Sequence, residues 1–266
     1  GETRQTTITS QPGRPINTIQ AWQPNRMADD LEDVSGGKVA DPSNVVAAVF
    51  AEDLTSKFEI FSYRNAASIL KAGFPEHFRE LEALLRRFKI SKAMIRSPGG
   101  SKSEIAKYVD TLFGEEWAET RISADLHVKL LHAKKSDRIL SHYTRVGYLD
   151  GHRIDFVKGK VAVDLEWNSK DQTYDRDLYA FSAFYEAGAI DLGIILTRGS
   201  SLDGRFFRSL GKVLRKDGTE GDEDVYRKYG ASTTWMGKLL YRLDAGRNGG
   251  CPVLAIGITP GCIGDG

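Results

Sequence analysis

Apolar positions along this chain switch repeatedly between helical and strand-like spacing. Ala66, Ile69 and Leu70 share one helical face, starting from Ser62. After Pro75, residues Phe78, Leu81, Leu84, Leu85 and Phe88 recur at spacings of three and four, predicting a second helix. The segment Ser97-Pro98-Gly99-Gly100-Ser101 is a loop, and Ser101 or Ser103 can cap a helix carrying Ile105, Tyr108, Val109 and Leu112. Residues 122–132 alternate weakly, as a strand would. Tyr148–Phe156 and Lys160–Trp167 are two strand-like runs around Val157-Lys158-Gly159, which suits a hairpin. Asp175–Ala187 reads as a helix stopped at Gly188, and Ile190–Thr197 as a buried strand. A strand, a crossover helix and a strand imply a parallel pair. Thr234–Ala245 is a further helix and Pro252–Thr259 a further apolar strand, with a charged loop region at Asp217–Tyr229. The sum predicts an α/β domain, a mixed central β-sheet flanked by helices.

Residues 1–55 break this pattern. They are rich in Thr, Gln, Pro, Asn and Asp, and show helical spacing only near Val45–Phe50. They read as an irregular N-terminal arm with one short helix, ahead of a domain at 56–266.

Composition narrows the classes. The chain carries a formal net charge of +1, so bulk charge gives no sign of a nucleic-acid partner. The average hides structure: residues 1–55 hold four basic and eight acidic residues, which leaves 56–266 positive. No apolar run reaches the ~18 residues of a membrane helix, so no membrane association is expected. With Cys251 and Cys262 alone, there is no disulfide framework, and a reducing cytoplasm is the expected compartment. Phosphate-binding Gly loops, zinc-type Cys and His spacings and nucleophile-elbow motifs are absent. The chemistry should rest on carboxylates.

Asp164, Glu166 and Asn168 lie two apart, so in a strand they project to one face and Val163, Leu165 and Trp167 to the other. Adjacent carboxylates repel, and a divalent metal offsets this simply; Asp155 across the hairpin can add a third oxygen. Hard oxygen donors suit Mg²⁺ or Mn²⁺ rather than zinc. The competing reading is an edge strand with a solvated acidic face, paired with Lys158, Lys160 or Lys170.

The spacing Asp155-x8-Asp164-x-Glu166 resembles the PD-(D/E)xK nuclease motif. Tyr63–Leu70, Ile105–Trp117, Ile154–Asn168, Leu192–Gly199 and Cys251–Ile258 together, in that order, resemble the BglII/BamHI-like type II restriction endonucleases over roughly residues 58–260. Glu166 stands where the general motif has Lys, as in the BamHI-like branch. The resemblance implies a restriction-endonuclease-like fold and sequence-specific, Mg²⁺-dependent cleavage of double-stranded DNA leaving 5′-phosphate ends. It further implies a short palindromic site, a homodimer (helices 64–89 being apolar enough to form its interface) and a prokaryotic cytoplasm. Asp155 and Asp164 become metal ligands, and Glu166 a further ligand or the group that acts on the attacking water. Asn168 positions a water or phosphate or is a plain polar residue at the strand end, and Glu104, Glu119 or neither completes the acidic set.

For DNA contacts, residues 85–107 hold seven basic residues against one acid, and residues 134–160 seven against three. By position, Lys102, Arg198, Ser200, Ser232, Thr233 and Thr234 are the candidate DNA-contacting residues, with Ser232–Thr234 also the candidate N-cap of the helix that follows. Arg242 and Arg247 suit a phosphate or a neighbouring helix equally. Two other functions fit the same residues: a structure-selective repair nuclease, or a non-catalytic nucleic-acid-binding protein on a degenerate nuclease fold. A carboxylate-pair glycosidase fits poorly, since no aromatic platform shares the acidic face.

Overall fold

Residues 36–100 and 102–264 are described in the computed structural model of the chain. Helices α1 (Ser43–Val49) and α2 (Glu52–Thr55) precede strand β1 (Phe58–Tyr63), and α3 (Ala66–Gly73) and α4 (Pro75–Arg87) follow it. Then come β2 (Ile90–Ser91), α5 (Lys92–Arg96) and α6 (Glu104–Asp110). Strands β3 (Ala118–Leu131) and β4 (Ile139–Lys158) form a long hairpin. A strand–helix–strand unit consists of β5 (Val161–Glu166), α7 (Thr173–Glu186) and β6 (Leu192–Arg198). An insert holds α8 (Gly204–Ser209), β7 (Lys212–Leu214), β8 (Glu220–Asp224) and α9 (Val225–Lys228). The described chain ends with α10 (Met236–Asp244), β9 (Val253–Ile258) and β10 (Ile263–Gly264).

The main sheet has six strands in the order β1-β9-β6-β5-β4-β3. The three central strands β5, β6 and β9 are parallel, and the outer strands run antiparallel to their neighbours. Strand β9 is buried throughout because helices cover both faces. On one face Val163, Ile194, Leu196, Leu254 and Ile256 pack with Leu70, Leu81 and Leu85 of α3 and α4. On the other, Ala162, Ile195 and Ala255 pack with Phe181 of α7 and Leu239 of α10. A Cβ on Gly193 would lie 2.3 Å from the Phe181 ring, so glycine there lets α7 sit close on the sheet.

The helices, the hairpin and the parallel pair appear where the apolar spacing predicts them. Four expectations change. First, β1 occupies the stretch just before the expected helix, with Phe58 and Tyr63 buried beside β9. Second, the described part of the arm is ordered into α1 and α2, which set Val46, Val49, Phe50 and Leu54 into the main core. The rest of the arm, residues 1–35, and the cap candidate Ser101 lie outside the described residues. Third, the charged 217–229 segment contains β8 and α9 rather than loop alone. Fourth, the apolar residues of helices 64–89 are used in this chain's own core: Phe78, Leu81, Leu84 and Leu85 are buried, and none of the large apolar side chains exposed among the described residues lies there. No surplus apolar face remains on those helices to mark a dimer interface. Cys251 and Cys262 are free and buried. Among the described residues no helix is long and apolar enough to cross a membrane.

Candidate active site

The β4–β5 ladder pairs Lys158 with Val161, Val157 with Ala162 and Phe156 with Val163, and goes no further. The next residues on the two strands are Asp155 and Asp164, and their side chains replace the ladder. Asp155 N–H donates to Asp164 Oδ1 at 2.8 Å, and Leu165 N–H donates to Asp155 Oδ2 at 3.3 Å. The strands therefore part around two opposed acids. This occurs at the carboxyl end of a central parallel strand, the usual place for a site in an open α/β sheet.

Asp164 is 4% exposed and Glu166 5%. Strand β5 is central, with β4 on one side and β6 on the other, so the solvated edge-strand reading fails. Asp164 Oδ2 has no hydrogen-bond partner. Burial, then the charge of Asp155, raises the Asp164 carboxyl well above the usual range. Burial also raises Asp155, and Glu166 and Glu119 add to it. Helix α7 brings a further acid: Asp177 is pushed up to about 9, by burial first and then by Asp164 and Glu166. One guanidinium opposes these charges. Arg176 Nη2 lies 2.8 Å from Asp177 Oδ1 and 3.5 Å from Glu166 Oε1, with its side chain 67% exposed. Thr173, in the first turn of α7, donates its hydroxyl to Glu166 Oε2 at 3.1 Å.

In front of these acids lies a cleft of about 600 Å³, lined among others by Lys102, Glu119, Asp155, Glu166, Asn168 and Lys228. Residues 58–258 of the chain match the family of restriction endonuclease BglII/BglIII. The chain belongs to this family. No curated protein matches it. As a BglII/BglIII-family enzyme it is a DNA endonuclease of a restriction system, and such enzymes generally use divalent metal ions.

The structure brings some of the expected residues together and leaves others apart. Asp155, Asp164 and Glu166 come together. Asn168 lies beyond the end of β5, where strand alternation no longer sets its direction. Its Nδ2 donates to Lys228 O, and its Oδ1 is buried without a partner. Of the two extra acids, Glu119 lines the cleft and acts on Asp155, whereas Glu104 pairs with Lys107. Lys102 lines the cleft and pairs with Asp110.

Two of the DNA-contact expectations are corrected. Arg198 is 3% exposed, donates to Thr233 Oγ1 at 2.9 Å, and lies over the rings of Phe207 and Tyr229. It braces the insert against β6 and faces the interior. Thr234 is wholly buried, and α10 starts after Trp235 with no side-chain cap. Thr233 is engaged by Arg198 and by Gly230 O. Ser200 binds Glu59 through both its N–H and its hydroxyl. Ser232 is exposed, and its backbone oxygen accepts from Asp171. Arg242 and Arg247 both hold Asp175, so they link α10 and the turn after it to α7.

Many residues of the two basic stretches are tied down within the chain. Arg87 donates to Leu112 O, Arg96 to Lys212 O, and Lys158 pairs with Glu80 and Glu116. Thr173, Arg176 and Asp177 are the site residues that sequence reasoning missed. Their signal was present but faint: with Asp175 they make four polar residues among the first five of a helix whose apolar positions are Tyr174, Leu178 and Phe181.

No three His, Cys, Asp or Glu side chains among the described residues already converge as a metal-binding group. The donor chemistry nonetheless fits a hard divalent cation: three carboxyls where β4 and β5 part, one of their oxygens buried without a partner.

Proposed function

We propose that this enzyme is a type II restriction endonuclease, hydrolysing both strands of a short palindromic DNA site with Mg²⁺ and leaving 5′-phosphate ends. The observation that carries this reading is the unpartnered, buried Oδ2 of Asp164 opposite Asp155. Burying a carboxylate without a compensating partner costs several kcal/mol, so such a group persists where function requires it. Mg²⁺ (or Mn²⁺) held by Asp155, Asp164 and Glu166 would lower the pKa of the attacking water and neutralise charge on the phosphate.

The protein's own residues perform the rest. Backbone N–H groups fix the inner oxygens of Asp155 and Asp164, so their donor atoms need little rearrangement. Glu166, steadied by Thr173 and Arg176, orients or deprotonates the water. Arg176 supplies the positive charge that Glu166 displaced from the motif and contacts the scissile phosphate. Asn168 and Glu119 line the same cleft and position water or phosphate. Cutting both strands needs two such centres, hence a homodimer with twofold symmetry, working in a prokaryotic cytoplasm.

The test is digestion of plasmid DNA of known sequence with and without Mg²⁺, followed by sequencing of the ends. Discrete fragments with 5′-phosphates are expected, and Asp164→Ala should bind the DNA without cutting it. Cleavage by Asp164→Ala overturns the assignment. Cutting confined to junctions selects a structure-selective nuclease instead, and binding without cutting in either metal selects a non-catalytic binder.

A further inference from the structure

The hairpin β3–β4 leaves the body of the protein. Its base belongs to the core through Ile122, Ile154 and the partly buried Leu149, but no residue of 125–148 joins either core cluster. From Ala124 to Leu131 the ribbon extends roughly 20 Å at ~3.3 Å per residue. Along it Leu130, Leu131, Ile139, Leu140, Tyr143, Val146 and Tyr148 are about half exposed or more, with Val146 at 82%. An isolated two-stranded hairpin is marginally stable in water, so this ribbon is built to lie against something.

Its two faces differ. The register places Leu126 opposite Arg145, Val128 opposite Tyr143 and Leu130 opposite Ser141 on one face; His127 opposite Thr144 and Lys129 opposite His142 occupy the other. Gly147, in the left-handed region at φ 63°, marks the irregularity at the start of the ribbon, and its N–H donates to Asp125 Oδ1 at 2.8 Å. Residues 126–148 carry Lys129, Lys134, Lys135, Arg138 and Arg145 against Asp137 alone. That charge of +4 exceeds the +1 of the whole chain. None of these five cations pairs with an acid among the described residues, unlike Lys102 in the cleft and Arg242 on α10.

We infer that the 126–148 ribbon is a second DNA-binding element, gripping duplex outside the cleft, a reading that rests on DNA being the substrate. Charge decides the occupant. A second copy pairing ribbon to ribbon would bring two +4 surfaces together, whereas a phosphate backbone neutralises each. The shape agrees, since a two-stranded ribbon fits the major groove, where apolar side chains can meet thymine methyl groups. Asp155 lies on the same strand as Arg145, so the ribbon holds DNA flanking the cleavage point, and its reach covers about 6 base pairs at ~3.4 Å each.

The test uses the full chain in metal-free buffer, with affinity for a duplex measured against salt concentration. One variant replaces Lys129, Lys134, Lys135 and Arg138 with Gln. A second replaces 125–148 with an Asn-Gly turn joining Ala124 to Leu149. Each lost phosphate contact lowers the log–log salt slope by about 0.9, so the Gln variant, with four cations removed, should lower it by about 3.6. Lengthening the duplex by 10 base pairs beyond one that fills the cleft should tighten binding by the unaltered protein about tenfold or more and leave both variants unchanged. An unchanged slope in the folded Gln variant overturns the inference, as does a sedimentation shift from dimer to monomer with the slope unchanged. The nuclease reading stands or falls separately, on cleavage by the unaltered protein with Mg²⁺.

Discussion

The Asp164 carboxylate accepts the backbone N–H of Asp155 at 2.8 Å, directly across the last open rung of the β4–β5 hairpin. Two acids facing each other at this position weaken a strand pair. The sheet accommodates them by ending its ladder there, and the opening becomes the cleft. One consequence is thermodynamic. The folded state holds Asp164 with a raised pKa, so its stabilising contribution is fully present below the unfolded value of ~3.9 and is lost as pH rises through the folded value. At pH 8 without metal, Asp164→Asn should therefore melt higher than the unaltered protein. The difference should shrink as pH falls toward 4. A melting temperature for the variant that is lower at pH 8 contradicts the strain argument. Adding Mg²⁺ at pH 8 should raise the melting temperature of the unaltered protein and leave that of Asp164→Asn unchanged.

Arg176 is the cation set among Glu166, Asp177 and, further off, Asp164. Arg176→Ala should lower the cleavage rate constant on the order of 10²-fold, the size seen when one preorganised charge donor is removed. Duplex affinity should change little, and Arg176→Lys should recover part of the rate. Equal losses in rate and affinity would move Arg176 out of the reaction and into general DNA binding.

Glu119 and Glu104 separate by position. Glu119 lines the cleft, and Glu104 pairs with Lys107 at 2.8 Å. Glu119→Gln should slow single-turnover cleavage about tenfold or more, whereas Glu104→Gln should leave it unaltered.

Arg242 grips Asp175 with two hydrogen bonds of 3.0 Å while itself only 7% exposed, and Arg247 joins the same carboxylate. This cluster ties α10 to the helix that carries Arg176. Denaturant unfolding of Arg242→Ala should show a loss of about 2 kcal/mol, as expected for hydrogen bonds to a charged partner. Arg247 is more exposed, and Arg247→Ala should cost under about 1 kcal/mol.

Arg198 packs between rings and Thr233 rather than facing DNA. Arg198→Met should change stability and leave the cleavage sequence as it was. An altered recognition site, read by sequencing the product ends, would return Arg198 to the DNA interface.

Local rules carried the sequence reading a long way. Strand alternation has a period of two, so Asp164 and Glu166 had to share a face, and the turn at Gly159 had to bring β4 back alongside β5. The strand–helix–strand order forced a parallel pair, and the apolar runs at 192–196 and 253–258 required cover on both faces. Opposition across space is not local. Whether β5 was an edge or a centre depended on β4 and β6 flanking it, and this turned a solvated acidic strand into a buried one. Arg176 and Asp177 reach the acids because α7 packs closely over Gly193, a distance that no residue spacing encodes. Arg198 and Thr234 look available in the sequence because polar residues in turns usually are, yet the rings of Phe207 and Tyr229 cover Arg198 and the tertiary packing buries Thr234. The ribbon is the reverse case: weak alternation at 122–132 and the run from Tyr148 announced two ordinary strands, nothing marked 139–147 as strand, and only the placement of the rest of the molecule left residues 125–148 with no core to join.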